Sequence, residues 1–241
     1  MTGGAGPGGA GRPAGRPAGP RSGLTDALIG YFIGLVVAVL AESAWAGAHG
    51  NDTSSLGAVV AGTVGLWVGL AGAPLWTSRT SGSGSLATDF GLRFRPPDPL
   101  MGAVVGVAAQ YGLAFLVYLP FRSDEHLIRE VGQPAQHLTR LAHGWGGVVL
   151  VAVVVVGAPV VEELFFRGLL LRSLARRIGT PGAVIVSAVL FGLAHYEPVQ
   201  LPVLVLFGAA LGLLAVRTGR LGPGICAHAA FNAVAVYSLV R

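Results

Sequence analysis

The amino-acid sequence predicts an all-α membrane protein: a polytopic helical bundle of about seven transmembrane helices with a disordered N-terminal tail. Three observations predict this class. Of the 241 residues, 53% are hydrophobic and only 11% are charged, whereas soluble domains carry roughly 25% charged residues. The mean hydropathy is +0.68. The apolar residues also fall into seven separate stretches, at 27–46, 56–76, 100–120, 147–169, 181–195, 201–217 and 222–240.

Each apolar stretch is expected to be a helix, because a membrane-crossing segment must satisfy its backbone hydrogen bonds internally. Most of the seven approach the roughly 20 residues that a helix needs to cross the hydrocarbon core. The fifth stretch is short and is expected to be broken or tilted. Glycines recur at four-residue spacing, which favours close helix packing; the pairs are Gly30 and Gly34, Gly65 and Gly69, Gly102 and Gly106, and Gly208 and Gly212.

Composition also divides the chain and excludes other classes of protein. Residues 1–23 consist mainly of Gly, Pro, Ala and Arg, so they are expected to be a disordered cytoplasmic tail. Residues 24–145 are expected to hold the first transmembrane helices and their loops, and residues 146–241 the remaining helices. Cys226 is the single cysteine, so a disulfide scaffold is excluded.

The arginines predict the orientation of the chain in the membrane. The formal net charge is +5, all 16 basic residues are arginines, and positive charge marks cytoplasmic loops. Arginines lie in the tail and in every second loop, at Arg12, Arg16, Arg21, Arg79, Arg93, Arg95, Arg172, Arg176, Arg177, Arg217 and Arg220. The N-terminus is therefore expected in the cytoplasm and the C-terminus outside, and the positive charge does not indicate a nucleic-acid partner. The 121–146 loop mixes both signs of charge.

An alternative remains open at the first helix. The apolar run followed by Ala44-Trp45-Ala46 also resembles a signal peptide with its cleavage site. The long segment before it favours a retained helix.

Polar side chains in the C-terminal apolar stretches are the strongest functional signal. An ionisable group within a membrane helix is costly, at about 2.5–3.5 kcal/mol near the helix centre. Three clusters nevertheless occur: Glu162, Glu163 and Arg167; Phe191 and His195; and His228 and Asn232. Four-residue spacing places Glu163 with Arg167, Phe191 with His195 and His228 with Asn232 on one helix face. Glu162 points about 100° away from the face of Glu163. Glu163 and Arg167 are expected to pair, which leaves Glu162 without that partner.

These side chains suit the hydrolysis of an amide bond if the three helices converge. Glu162 could act as a general base on water, with His195 sharing that water. His228 and Asn232 carry hydrogen-bond donors suited to an oxyanion. We therefore expect Glu162, His195, His228 and Asn232 to line one pocket.

The three clusters, in this order on membrane helices, resemble the CPBP family, which includes the CAAX prenyl endopeptidases and the bacteriocin-processing or Abi-like proteins. The sequence reads E-E-x-x-x-R from Glu162, F-x-x-x-H from Phe191 and H-x-x-x-N from His228, without a substitution. The resemblance implies an intramembrane endopeptidase whose catalytic core is residues 146–241. It also implies that Glu162 and His195 activate water, and that His228 and Asn232 stabilise the oxyanion. Glu163, Arg167 and Phe191 would support them.

The cofactor and the cellular context are expectations of the same kind. The family has been described both as metalloprotease and as glutamic protease; the sequence lacks H-E-x-x-H, and metal-independent catalysis is favoured. If zinc is bound, Glu162, His195 and His228 are its expected ligands. The expected partners are a membrane-associated protein or peptide substrate and membrane lipid, in a bacterial plasma membrane.

Two other functions remain as alternatives to the peptidase. One is a non-enzymatic bacteriocin-immunity or scaffold protein that uses the polar cluster for helix packing. The other is a small transporter that uses Glu162 and the two histidines as a relay.

Overall fold

The computed structural model describes residues 23–141 and 144–240, so the predicted tail, apart from Gly23, lies outside the described residues. Within these ranges the chain is helical and has no strand. The helices are α1 (Gly23–Ala48), α2 (Leu56–Ser81), α3 (Leu86–Asp89), α4 (Asp98–Tyr118), α5 (Glu125–Leu141), α6 (Trp145–Leu193), α7 (Leu201–Thr218) and α8 (Gly222–Val240). The predicted all-α class is confirmed.

In the described part of the chain, five helical segments are long and apolar enough to cross a membrane: 23–48, 56–81, 98–121, 145–193 and 201–218. The chain is therefore a multi-pass membrane protein. The predicted number of seven crossings is not confirmed by this count. Two of the predicted stretches lie together in α6, 147–169 entirely and 181–195 except for its last two residues. α8 is not among the five.

α6 is two consecutive helical segments and not one straight rod. Its 49 residues would span about 74 Å, more than twice the thickness of the hydrocarbon core. At Gly179 the backbone leaves helical geometry, with φ 75° and ψ 164°, a conformation that glycine adopts without steric cost. Pro181 follows, where a missing N–H is tolerated at a helix start. Glycine and proline thus separate the two stretches that the sequence predicts here.

The paired glycines bring helices into backbone contact, as their spacing predicts. A Cβ atom on Gly69 would lie 2.0 Å from the Gly30 carbonyl oxygen, where α1 crosses α2. A Cβ atom on Gly106 would lie 2.2 Å from the Ala227 carbonyl oxygen, where α4 crosses α8. Both positions require the absence of a side chain. This packing places α1, α2 and α8 around the middle of α6.

Two π-helical turns interrupt α6, at Val151–Gly157 and Leu164–Leu170. A π-turn shifts the side chains that follow it and is often found at functional sites. The two turns flank Glu162 and Glu163, and the second contains Arg167. The site residues of α6 therefore lie on a locally irregular helix.

The segment treated as a loop at 121–146 contains a helix, α5. Apolar residues such as Ile128 and Val131 alternate with charged residues such as Arg129 and Glu130 at helical spacing. The Gln200 side chain donates a hydrogen bond to the Val131 carbonyl oxygen at 2.8 Å. A search for long apolar runs overlooks such a helix, because its average hydropathy is low.

Candidate functional site

A buried ion pair stands at the centre of the site. Arg167 Nη1 donates to Glu163 Oε1 at 2.8 Å, and both side chains are almost fully buried. Arg167 Nη2 donates to the Gly208 carbonyl oxygen of α7 at 3.0 Å, and the guanidinium lies 4.2 Å from the centre of the Phe191 ring. The pair that the one-turn spacing predicts is thus present. The hydrogen bond to Gly208 and the cation–π contact with Phe191 further offset the cost of burying the guanidinium charge.

His228 lies between the two carboxylates. Its Nδ1 atom is 3.2 Å from Glu163 Oε1, and its Nε2 atom is 3.8 Å from Glu162 Oε2. The first distance is a hydrogen bond and the second is too long for one. Two carboxylates and one guanidinium leave this cluster with one negative charge, which a protonated His228 would neutralise. Through His228, α8 thereby contacts the Glu162 and Glu163 carboxylates of α6.

His195 and Glu162 line the same cavity, although 33 residues separate them in the chain. The cavity has a volume of about 60 Å³, and it is lined by Tyr31, Leu66, Leu70, Glu162, Phe166, Ala194 and His195. A space of this size holds at least one water molecule. Glu162 keeps 19% of its side chain exposed, and its Oε2 atom has no hydrogen-bond partner in the described residues. The cavity thus joins the two groups expected to act on water.

The protonation of the His195 ring follows from its hydrogen bond. His195 Nδ1 lies 2.8 Å from the Phe191 carbonyl oxygen. A carbonyl oxygen can only accept, so Nδ1 carries the proton. In the neutral ring, Nε2 then has a free lone pair and can accept a proton or a hydrogen bond from water. The four-residue spacing of Phe191 and His195 thus also sets the tautomer.

Asn232 is engaged with the backbone of α6. Its Nδ2 atom donates to the Val154 carbonyl oxygen at 2.8 Å. Within the first π-turn the Ala158 N–H bonds to Val153, and Pro159 has no N–H to offer. The Val154 carbonyl would otherwise lack a helical partner in a membrane, so Asn232 satisfies it.

Two of the four expected residues line the cavity, and the other two lie on α8. Glu162 and His195 line the cavity. His228 lies beside Glu162 but does not line the cavity. One turn further along α8, Asn232 donates a hydrogen bond to the Val154 carbonyl oxygen. That all four line one pocket stays a prediction for His228 and Asn232, which are not among the residues that line this cavity.

Two parts of the site carry no signal in the sequence, Tyr31 and Gly208. Tyr31 lies in α1, far from the motifs, and an aromatic residue in an apolar helix carries no signal of its own. Gly208 contributes only its carbonyl oxygen, which residue type does not reveal. Helical spacing relates residues within one helix, whereas both of these reach the site from other helices.

The side chains are not grouped as a metal site. In the part of the chain that the structure describes, no three His, Cys, Asp or Glu side chains lie close enough to hold one ion. Glu163 Oε1 and His228 Nδ1 are already engaged with each other. Zinc bound by Glu162, His195 and His228 and metal-independent catalysis both stay predictions.

Comparison with known proteins agrees with the motifs. Residues 144–234 match the family model described as Rce1-like, type II CAAX prenyl endopeptidase Rce1-like. The match begins before α6 and ends within α8, so it contains all three motifs and leaves α1 to α5 outside. No curated protein and no solved structure matches the chain significantly. Residues 144–234 of this multi-pass membrane protein thus form a domain that matches the Rce1-like family model of type II CAAX prenyl endopeptidases, which confirms the resemblance seen in the sequence.

Proposed function

We propose that the chain is an intramembrane endopeptidase that hydrolyses a peptide bond of a membrane-associated protein with water activated by Glu162 and His195. The observation that carries this proposal is the cavity that these two side chains share. A carboxylate and an imidazole with a free Nε2 are a suitable pair of acceptors for the two protons of one water molecule. The Rce1-like domain supports the same reaction class.

The proposed reaction needs no covalent enzyme intermediate. The water oxygen attacks the carbonyl carbon while Glu162 takes its proton, and the carbonyl electrons move onto oxygen. The tetrahedral intermediate then collapses and the C–N bond breaks, while Glu162 returns the proton to the leaving nitrogen. The products are a new carboxyl group and a new amine, so atoms and charge balance.

His228 and Asn232 are proposed as donors to the oxyanion. His228 is held by Glu163 at Nδ1, so its Nε2 atom is directed toward the Glu162 side of the site. Asn232 uses one amide hydrogen for Val154 and retains a second. Donors held in advance in a dry site stabilise a developing negative charge strongly. Glu163, Arg167 and Phe191 act through these residues as positioning groups.

The test uses the purified full-length chain in proteoliposomes with a quenched peptide that ends in farnesyl-cysteine and three further residues. We expect cleavage by the wild type and a loss of at least about 100-fold in Glu162→Gln. Glu125→Gln, which changes an exposed carboxylate of α5, is the matched control and should retain full activity. A second assay covers substrates that are not prenylated. The enzyme is reconstituted with a mixture of membrane proteins, and the new peptide termini that appear are identified.

Two outcomes would contradict the peptidase. Equal cleavage by the wild type and Glu162→Gln would remove Glu162 from the reaction. No cleavage of either substrate by folded wild type would favour the immunity or scaffold alternative, and proton flux in the same liposomes would favour the transporter.

A further inference from the structure

Tyr31 belongs to the cavity of Glu162 and His195, although it lies in α1 and outside the residues that match the family. It stands between Gly30 and Gly34, whose contacts with α2 leave no room for side chains. Its ring centre lies 6.2 Å from that of Phe165 in α6. The tight crossing of α1 and α2 thus fixes Tyr31 against the helix that carries Glu162.

Tyr31 supplies the hydrogen-bond donor that the cavity otherwise lacks. Among the described residues that line the cavity, only Tyr31, Glu162 and His195 have polar side chains. An ionised Glu162 only accepts hydrogen bonds. His195 has its Nδ1 proton engaged with Phe191, so its Nε2 atom faces other groups as an acceptor. The phenol of Tyr31 remains protonated at neutral pH and can donate.

The backbone next to His195 gives a second, independent observation. Tyr196 follows His195 directly and has φ 55°. Among the described residues, the one other non-glycine with positive φ is Asn51, a residue type that tolerates this conformation. A tyrosine there is strained by about 1–3 kcal/mol, and strain of this kind is concentrated at functional sites.

The strained turn brings Tyr196 to Tyr31. The side chains of Tyr31 and Tyr196 interact. Tyr196 keeps 69% of its surface exposed, so solvent can supply its own hydrogen bonds.

We propose that Tyr31 is a further catalytic residue, whose hydroxyl donates a hydrogen bond to the water that Glu162 and His195 activate. The inference rests on the proposed function. Water has two hydrogens and two lone pairs. Glu162 and His195 accept the hydrogens, and Tyr31 donates to one lone pair. The second lone pair is then the one left to attack the peptide carbonyl, so the three groups together orient the nucleophile.

The direct test is Tyr31→Phe, which removes one oxygen atom and keeps the ring. With the quenched farnesyl-cysteine peptide in proteoliposomes, we expect kcat to fall by about 10- to 100-fold, since a misplaced reactant costs that much. KM should remain within about twofold, because the hydroxyl contacts water and not the bound peptide. Tyr196→Phe should produce a smaller fall in kcat. Tyr111→Phe, a tyrosine of α4 that is 61% exposed, is the matched control and should match the wild type.

A second variant separates catalysis from packing. Replacement of Tyr31 by 3,5-difluorotyrosine preserves its shape but makes the phenol more acidic. We expect kcat to acquire a new alkaline limb, because ionisation removes the donated proton. A purely structural tyrosine would leave the pH profile unchanged. If Tyr31→Phe does not fold, this variant still tests whether the Tyr31 hydroxyl takes part in catalysis.

Glu162→Gln, measured alongside, distinguishes failure of this inference from failure of the peptidase. If cleavage depends on Glu162 while Tyr31→Phe retains wild-type kcat, or if the difluorotyrosine profile is unchanged, Tyr31 has no part in the reaction and the peptidase stands. If Glu162→Gln cleaves as well as the wild type, the proposed function itself fails, and the Tyr31 inference fails with it.

Discussion

Arg167 can be buried with its charge because several neighbours together offset the cost of removing the guanidinium from water. Glu163 neutralises it, the Gly208 carbonyl accepts a second hydrogen bond, and Phe191 presents its ring face. An unpaired charge at this depth would be far more costly than the pair. Arg167 thereby ties α6 to α7 and holds the carboxylate that contacts His228.

Loss of either partner of this pair should destabilise the protein strongly. We expect Arg167→Ala or Glu163→Ala to lower the free energy of unfolding by about 3–5 kcal/mol, because each leaves a buried charge without its partner. Thermal unfolding in detergent measures the effect. Arg129→Ala, which breaks an exposed pair with Glu125, should change the unfolding temperature little. Equal shifts for the buried and exposed pairs would show that Arg167 is not stabilised as described.

At the scale of helices, the π-turn near Val154 and the amide of Asn232 depend on each other. Pro159 denies Val154 a helical donor, and Asn232 supplies one from α8. A satisfied backbone carbonyl matters most where water is scarce. The contact between α6 and α8 is therefore set by a proline three residues before Glu162.

A double-mutant cycle tests this dependence. Asn232→Ala should cost about 1–3 kcal/mol of stability, because it leaves a buried carbonyl without a partner. In a Pro159→Ala background, residue 159 gains an N–H, so the cost of Asn232→Ala should decrease clearly. The coupling is read from unfolding temperatures of the four proteins. Additive effects would mean that proline and asparagine act separately.

Gly106, at the crossing of α4 and α8, permits a prediction about helix packing. Gly106→Ala should destabilise the protein by about 1–3 kcal/mol, because its methyl group would overlap the Ala227 carbonyl. Gly112→Ala, six residues along the same helix, meets no atom within 4 Å and serves as the control. Thermal unfolding of the two variants gives the comparison. A destabilised Gly112→Ala with an unaffected Gly106→Ala would contradict the close packing of these helices.

At the scale of the whole molecule, the arginine-bearing loops meet at one end of the bundle. Arg220 forms an ion pair with the buried Asp98 carboxylate at 2.6 Å, and its hydrogen bonds to Asp98 raise the pKa of Arg220. Arg172 donates to the Gly219 carbonyl oxygen at 3.1 Å, and the Leu221 N–H bonds to Gly91. The loop after α3 is thereby joined to the loop after α7, and the start of α4 is tied to that same loop.

The arginines predict that this end faces the cytoplasm. Single cysteines introduced in a Cys226→Ala background test the orientation in intact bacterial cells. A membrane-impermeant maleimide should label Asn51→Cys, in the arginine-free loop between α1 and α2. It should label Ser83→Cys, in the loop after α2, only after the cells are opened. The reverse pattern would place the arginine-bearing end outside.

Much of this protein can be predicted from the pattern of its residues. Apolar runs with few charges require membrane helices, because nothing else hides so much apolar surface. Spacing within one helix predicts the Glu163–Arg167 pair and the shared faces of Phe191 with His195 and His228 with Asn232. The ordered motifs of Glu162, His195 and His228 indicate the family that the comparison then confirms.

Contacts between helices required the tertiary structure. Only packing places Tyr31 beside Glu162 and His195, directs Asn232 to Val154 and sets Gly208 against Arg167. The structure also shows a helix at residues 125–141. A search for apolar runs misses this helix because it contains many charged residues. The physical reason is the same in each case: periodicity relates side chains along one helix, whereas a partner on another helix depends on close backbone approach and local turns.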